Sequence, residues 1–251
     1  MSASRIISIC TKLTLILLVR MALPCILYAQ QTTAYQAFIC QDITAWKSLI
    51  DSLRTIPTPT LGQCEQLVNL EYGYVAWGLS LSDSNRGNAE TYLKHGYHDL
   101  AAYEQAGGAK ARIGAYRSAF YAYDMKLHSH KTIRFGIKCI SEAKTARRAD
   151  SNDYMAQIQY GNIMYYMPRI LGGSPDEALK AYLKAKSILE RQNRIHHNWL
   201  YMNLLLTIAD IYKSQGNYQT VQTYYDLILT LEPNYPWVRD ELVPANQARI
   251  K

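Results

Sequence analysis

The chain has 251 residues, 49% hydrophobic and 19% charged, with a formal net charge of +7. That is enough for one sizeable domain or an extended array, while 13 Gly and 8 Pro are too few for long disordered tracts. GxSxG, GxxxxGK[ST], HExxH and GxGxxG are all absent, so the hydrolase elbow, phosphate-loop, zincin and dinucleotide-binding classes are excluded and a non-enzymatic role is expected.

The first segment in chain order reads as a targeting signal. Arg5 and Lys12 precede the apolar run Leu13 to Val19, and a second apolar run follows Arg20 and ends at Leu27-Tyr28-Ala29. Cleavage after Ala29 fits a secretory signal. The interrupted run is short against the ~20 residues of a membrane span, and a retained anchor is the main alternative. A lipoprotein site at Cys25 would want a small residue where Pro24 stands. The expected mature domain is 30–251, exported and periplasmic. Losing Arg5, Lys12 and Arg20 leaves it a net charge of +4.

Apolar residues in the mature chain recur at three and four, and few segments alternate, so an all-α protein is expected. One helix is predicted over 34–54, ended by Pro57 and Pro59. The second covers 61–81. A turn at 83–88 leads to a third that ends near 103, and Gly107-Gly108 ends that pair. Helices follow at 109–127, 132–148 and, capped from 150–153, up to 167. The next runs to 192 and has the clearest start: Ser174 as N-cap, Pro175 at the first helical position and Glu177 where a capping box needs it. Helices at 198–215 and 218–231 and a short closing one at 237–242 complete the chain.

A repeat shows in the second helix of each pair. Ala89/Leu93/Gly96, Ile133/Ile137/Ile140, Ala178/Tyr182/Ala185 and Val221/Tyr225/Ile228 share the spacing i, i+4, i+7, which puts each trio on one helical face. The starts are 44, 45 and 43 residues apart. The stretch Leu205 to Ile228, with its Gly216-Asn217 turn and Glu232-Pro233-Asn234 close, resembles a tetratricopeptide repeat (TPR), which has a period of about 34 residues. The third repeat fits if 168–174 is an insertion between its helices.

Met164 to Tyr182, Asn198 to Leu204 and Glu232 to Pro244 are together similar to a family of exported bacterial TPR proteins without an assigned activity. Pro168-Arg-Ile-Leu-Gly-Gly173 is also similar to the periplasmic helical-repeat component of tripartite solute transporters. These resemblances imply a right-handed α-solenoid of about four TPR-like helix pairs with an N-terminal capping helix. They imply a scaffold that takes a protein or peptide in a concave groove. The alternative is a substrate-handling accessory of an envelope transporter, with a closed pocket at the insertion or self-assembly into a ring.

Residues 110–148 carry ten Lys and Arg against Asp124 and Glu142, a basic belt on an otherwise acidic domain. A solvated helix face is the plain explanation; attraction of an acidic peptide or an anionic envelope surface is the functional one. Tyrosine is unusual, at 21 against three Phe. Some tyrosines must serve packing. The others, beside arginines, would form an aromatic and basic groove: Arg112, Tyr116, Arg117, Tyr121, Tyr123, Tyr160, Tyr165 and Arg169 are the expected partner-binding residues. Nucleic acid does not suit an exported protein. The mature chain keeps Cys40, Cys64 and Cys139, which are expected to be free and mostly buried. His95 and His98 lie three apart with no third ligand, so neither a metal nor a cofactor is expected.

Overall fold

The computed structural model describes residues 33–81 and 86–250. The expected signal segment and residues 83–85 of the 83–88 turn lie outside these residues. The described residues form helices and no strand. In chain order they are α1 (33–39), α2 (Ile43–Arg54), α3 (Leu61–Gly78), α4 (Arg86–Gln105), α5 (Lys110–Leu127), α6 (Thr132–Ala149), α7 (Tyr154–Tyr166), α8 (Pro175–Arg191), α9 (Trp199–Ser214) and α10 (Tyr218–Leu231). A π-helical segment (Trp237–Leu242) runs into the short α11 (Val243–Gln247). No helix among the described residues is long and apolar enough to cross a membrane.

Most helix starts carry a polar cap. The side chains of Asp42, Thr60, Asp153, Ser174, Asn198 and Asn217 each accept a hydrogen bond from a first-turn backbone N–H, a contact worth about 1 kcal/mol. The Asp42 cap corrects the expectation of one helix over 34–54. Asp42 Oδ1 accepts from Ala45 N at 2.9 Å and starts a new helix, while Gln41 takes a left-handed φ of 56° and closes the preceding one.

Burial sorts the helices into two layers. In α3, α5, α7 and α9 buried residues occur on all sides, as in Leu67, Val68, Leu70, Glu71, Tyr72 and Gly73 of α3. A helix apolar all round belongs inside. The helices between them bury a single stripe, such as Ala178, Ala181, Tyr182, Ala185, Ile188 and Leu189 of α8. Each inner helix packs on the outer one that follows it, α3 on α4, α5 on α6, α7 on α8 and α9 on α10. Neighbouring inner helices also touch, α3 against α5 and α5 against α7.

The last inner helix returns to the first. Trp199, at the start of α9, donates from Nε1 to Asn69 Oδ1 on α3 at 3.1 Å, and its ring meets Trp46 of α2 with centroids 4.9 Å apart. Gly73 makes this approach possible: a Cβ there would lie 2.7 Å from the rings of both tryptophans. The N-terminal helix, expected only as an end cap, also joins the two ends. Tyr35 donates to Glu232 at 3.1 Å, and the Phe38 and Tyr235 rings lie 6.0 Å apart.

Interior tyrosines serve packing at the ring and hydrogen bonding at the tip. Tyr116 accepts from Asn69 at 2.9 Å and Tyr182 donates to Asn162 at 2.6 Å. Two cation-centred clusters are buried with them. Arg112, 9% exposed, holds Asp153, Glu65 and the Tyr154 hydroxyl. Arg54 bridges Glu71, at 3.0 Å, and Asp99. The three cysteines among the described residues are free, Cys64 and Cys139 buried and Cys40 exposed, in line with the expectation of free, mostly buried thiols.

Two outcomes follow from these clusters. Arg112→Ala leaves the Asp153 carboxylate buried without its cation, so the urea midpoint should fall by the equivalent of about 3–5 kcal/mol. Burial, and secondarily the Asp99 carboxylate, push the Glu71 pKa well above the usual range, with Arg54 opposing. A carboxyl whose folded pKa is raised binds its proton more tightly when folded. Stability is then greatest below the unfolded value of about 4.3 and falls as pH rises through the folded one. Glu71→Gln mimics the protonated form, so it should flatten this fall and stabilise the protein more at pH 8 than at pH 4, read from thermal melts across pH.

Candidate functional site

Helix α6 faces its partner with small residues. Cys139, Ala143 and Ala146, spaced i, i+4, i+7, are buried against α5, and a Cβ at Gly114 would lie only 3.3 Å from that of Ala146. Ser118 Oγ donates to Cys139 O at 2.8 Å across the same seam. The small stripe lets the backbones come close and sets the rotation of α6. The expected packing trio Ile133/Ile137/Ile140 is thereby turned away from α5: Ile133 is 84% and Ile137 71% exposed. The corresponding trios of α4, α8 and α10 are buried as expected.

The displaced isoleucines form one wall of an apolar groove of about 580 Å³. Ala119, Ala122 and Tyr123 of α5 and Gln159, Asn162, Ile163 and Tyr166 of α7 line it, and Met167, Pro168 and Leu171 close one end. Of the seven large apolar side chains exposed among the described residues, five lie in or beside it: Ile133, Ile137, Tyr166, Ile170 and Leu171. Such clustering marks a docking surface, whereas single exposed apolar residues are ordinary.

The groove also offers polar recognition. Gln159 is 3% exposed; its Oε1 accepts from Asn162 at 3.0 Å, and its Nε2 has no hydrogen-bond partner among the described residues. Gln159 itself lines the groove, and a turn of its buried amide toward the groove would offer this donor to a carbonyl or carboxylate of an occupant. Arg134 and Lys138, both exposed, each follow one of the outward isoleucines by one residue, about 100° around the helix. With Lys131 they surround the Phe135 ring at 5.6–5.9 Å, so a cationic stripe runs beside the apolar one.

The residues expected to bind a partner are scattered relative to this groove. Tyr123 lines it, stacked on Tyr72 at 5.8 Å. Arg112 and Tyr116, at 9% and 0% exposure, are core residues and present no surface. Arg117 is held by Glu104 at 2.6 Å and Glu142 at 3.6 Å. Tyr121 stacks on Phe135 at 5.1 Å, Tyr160 lies under Arg147 at 4.0 Å, and Tyr165 meets Tyr166 edge-on at 5.0 Å. Arg169 is exposed in the turn that carries Ile170 and Leu171. The groove isoleucines and Gln159 were not foreseen as a site. Two competing i, i+4, i+7 stripes on one helix, one small and one large, were the available signal.

The 168–174 segment is a rim of this open groove. It forms a 3₁₀ turn at Arg169–Leu171, with Gly172 at φ 97° and Ser174 N donating to Met164 O at 2.8 Å. Among the described residues no three His, Cys, Asp or Glu side chains converge as a metal site. His98 Nδ1 lies 2.7 Å from Asp99 Oδ1, its neighbour in sequence. No protein-family model matches the chain, and no curated protein matches it.

The turn depends on Gly173, where an added Cβ would sit 1.7 Å from Met167 O. Gly173→Ala should therefore open the turn. The Gly173 and Ser174 amide bonds to Pro168 O and Met164 O would then be lost, read as faster hydrogen exchange at positions 173 and 174 with the α9 amides unchanged.

Proposed function

We propose that this chain is an exported, non-enzymatic helical-repeat protein of TPR type that binds a protein or peptide partner. The partner seats in the groove between α5, α6 and α7. The observation that carries this reading is the outward Ile133/Ile137 stripe, facing Tyr166 and Leu171 across an apolar floor. The packed helix pairs and the Gly161 position support the repeat reading: a Cβ at Gly161 would lie 2.6 Å from the Tyr182 ring of the next helix, the close approach that a TPR pair needs. Export rests on the N-terminal sequence pattern.

The groove's chemistry describes the occupant. Its apolar walls take a stripe of apolar side chains, and Gln159 Nε2 takes an acceptor. Arg134 and Lys138 favour acidic residues at the occupant's edge. An amphipathic segment with an acidic flank has all three features, which narrows the expectation of an acidic partner. Relative to the groove expected around Arg112 and Tyr116, the binding surface moves to the outward face of α6 and the end of α7.

A photo-crosslinking residue in place of Ile137 tests this in the native envelope. The expected result is one dominant crosslinked protein, lost from a control site at Thr223 on the far outer helix. The crosslink should weaken as salt shortens the Debye length from about 10 Å at 0.1 M to about 3 Å at 1 M. Ile133→Ser with Ile137→Ser should weaken partner binding at least tenfold, about 1.4 kcal/mol. Because both side chains are exposed, the melting temperature should barely move. Equal capture by the double variant removes the groove as the binding surface.

A further inference from the structure

A second cavity, independent of the peptide groove, gathers all four tryptophans of the chain. Trp46 comes from α2, Trp77 from α3, Trp199 from α9 and Trp237 from the π-helical segment, so four stretches far apart in sequence converge on about 500 Å³ of space. We infer that this cavity is a binding site for a neutral sugar.

The tryptophans divide into two kinds. Trp46 and Trp199 are 1% and 5% exposed, and both indole N–H groups are already bonded, to Leu70 O at 3.0 Å and to Asn69 Oδ1 at 3.1 Å. They build the floor. Trp77 and Trp237 are only partly buried, and their N–H groups donate to no protein group among the described residues. They offer open ring surface and a free donor each. Trp77 packs edge-on to Trp46 at 6.0 Å and Trp237 lies 6.4 Å from Tyr235, so one side of each indole is held by the core while the rest of the ring stays open to the cavity.

The polar rim selects the ligand. Gln41, Asn203 and Asp210 line the cavity, and their side chains make no hydrogen bond to protein among the described residues. Two amides and one carboxylate offer donors and acceptors in planar pairs, the arrangement that grips adjacent hydroxyls. Among the described residues no lysine or arginine lines the cavity and Asp210 is the one charged side chain that does, so an anion is disfavoured. An organic cation would use the rings and Asp210 but leave the amide donors of Gln41 and Asn203 unmatched. A pyranose satisfies all of them: its C–H face lies on an indole and its hydroxyls reach the rim.

Gln41 supplies a further argument. It occupies the left-handed position that ends α1, where Asp42 N donates to Ala37 O at 2.8 Å and glycine would be the relaxed residue. A side chain is kept there at the expense of backbone strain, and it reaches the cavity.

Since every tryptophan lines this cavity, the protein's tryptophan emission reports on it alone. The full mature protein would be titrated with glucose, mannose and N-acetylglucosamine oligomers and their monosaccharides. A uronic-acid oligomer and tetramethylammonium serve as anionic and cationic comparisons. The inference requires a saturable emission change with at least one neutral sugar and a much weaker response to both charged probes. Preference for oligomer over monosaccharide would identify a glycan chain as the source, and the reverse a free sugar. Trp237→Ala and Asn203→Ala should each weaken binding about tenfold. Gln41→Gly should weaken it too while raising the melting temperature, a pairing that a misfolded variant cannot give. No response to any neutral sugar, a response to tetramethylammonium alone, or sugar binding that survives both Asn203→Ala and Gln41→Gly overturns the inference.

Discussion

The contact of Trp199 with Trp46 over Gly73 is the constraint on which the remaining architecture rests. An indole removes roughly 200 Å² from water when buried, and here two of them meet edge-to-face at 4.9 Å over a residue with no side chain. Any larger residue at position 73 would push the rings apart and move α9 off α3. With α9 in place, the inner helices enclose the interior tyrosines and the Arg112 cluster. The segment from Glu232 to Trp237 comes within reach of α1 as well.

That closure separates the molecule's surfaces. Residues on the inner helices that an open solenoid would leave for a partner are consumed by packing, as Tyr116 and Tyr154 show at 0% and 4% exposure. What stays accessible lies where packing is incomplete. One such place is the flank of α6 that its small stripe turns outward. Another is the mouth above the tryptophan floor. The two are neighbours: Tyr72 lines the tryptophan cavity, Tyr123 lines the isoleucine groove, and their stacked rings form a shared wall.

Much of the fold was legible because helix signals are local. The Ser174 cap, the Gly216-Asn217 turn, the Pro57/Pro59 break and the buried trios of α4, α8 and α10 all follow from residues within a few positions of one another. The candidate site was less legible for two physical reasons. Periodicity finds an apolar stripe but does not choose between two stripes. On α6 the small Cys139/Ala143/Ala146 stripe prevails over the larger isoleucines because it permits closer backbone approach to Gly114. Arg112 likewise read as a free cation because its carboxylate partners Asp153 and Glu65 are 41 and 47 residues away. The break at Gln41 was missed because no glycine or proline marks it.

The clasp between the two ends has a consequence for how the molecule comes apart. In an open array each unit touches only its neighbours, so the ends fray and unfolding proceeds piecemeal. Here Tyr35 bonds Glu232 across 197 residues and Asn69 bonds Trp199 across 130. Loss of either end therefore exposes the tryptophan floor in the middle. Such long-range pairings raise contact order and slow folding, since loop-closure entropy must be met before the contacts form. In return the helices are tied into one cooperative unit, with little stable ground between the closed protein and the unravelled chain.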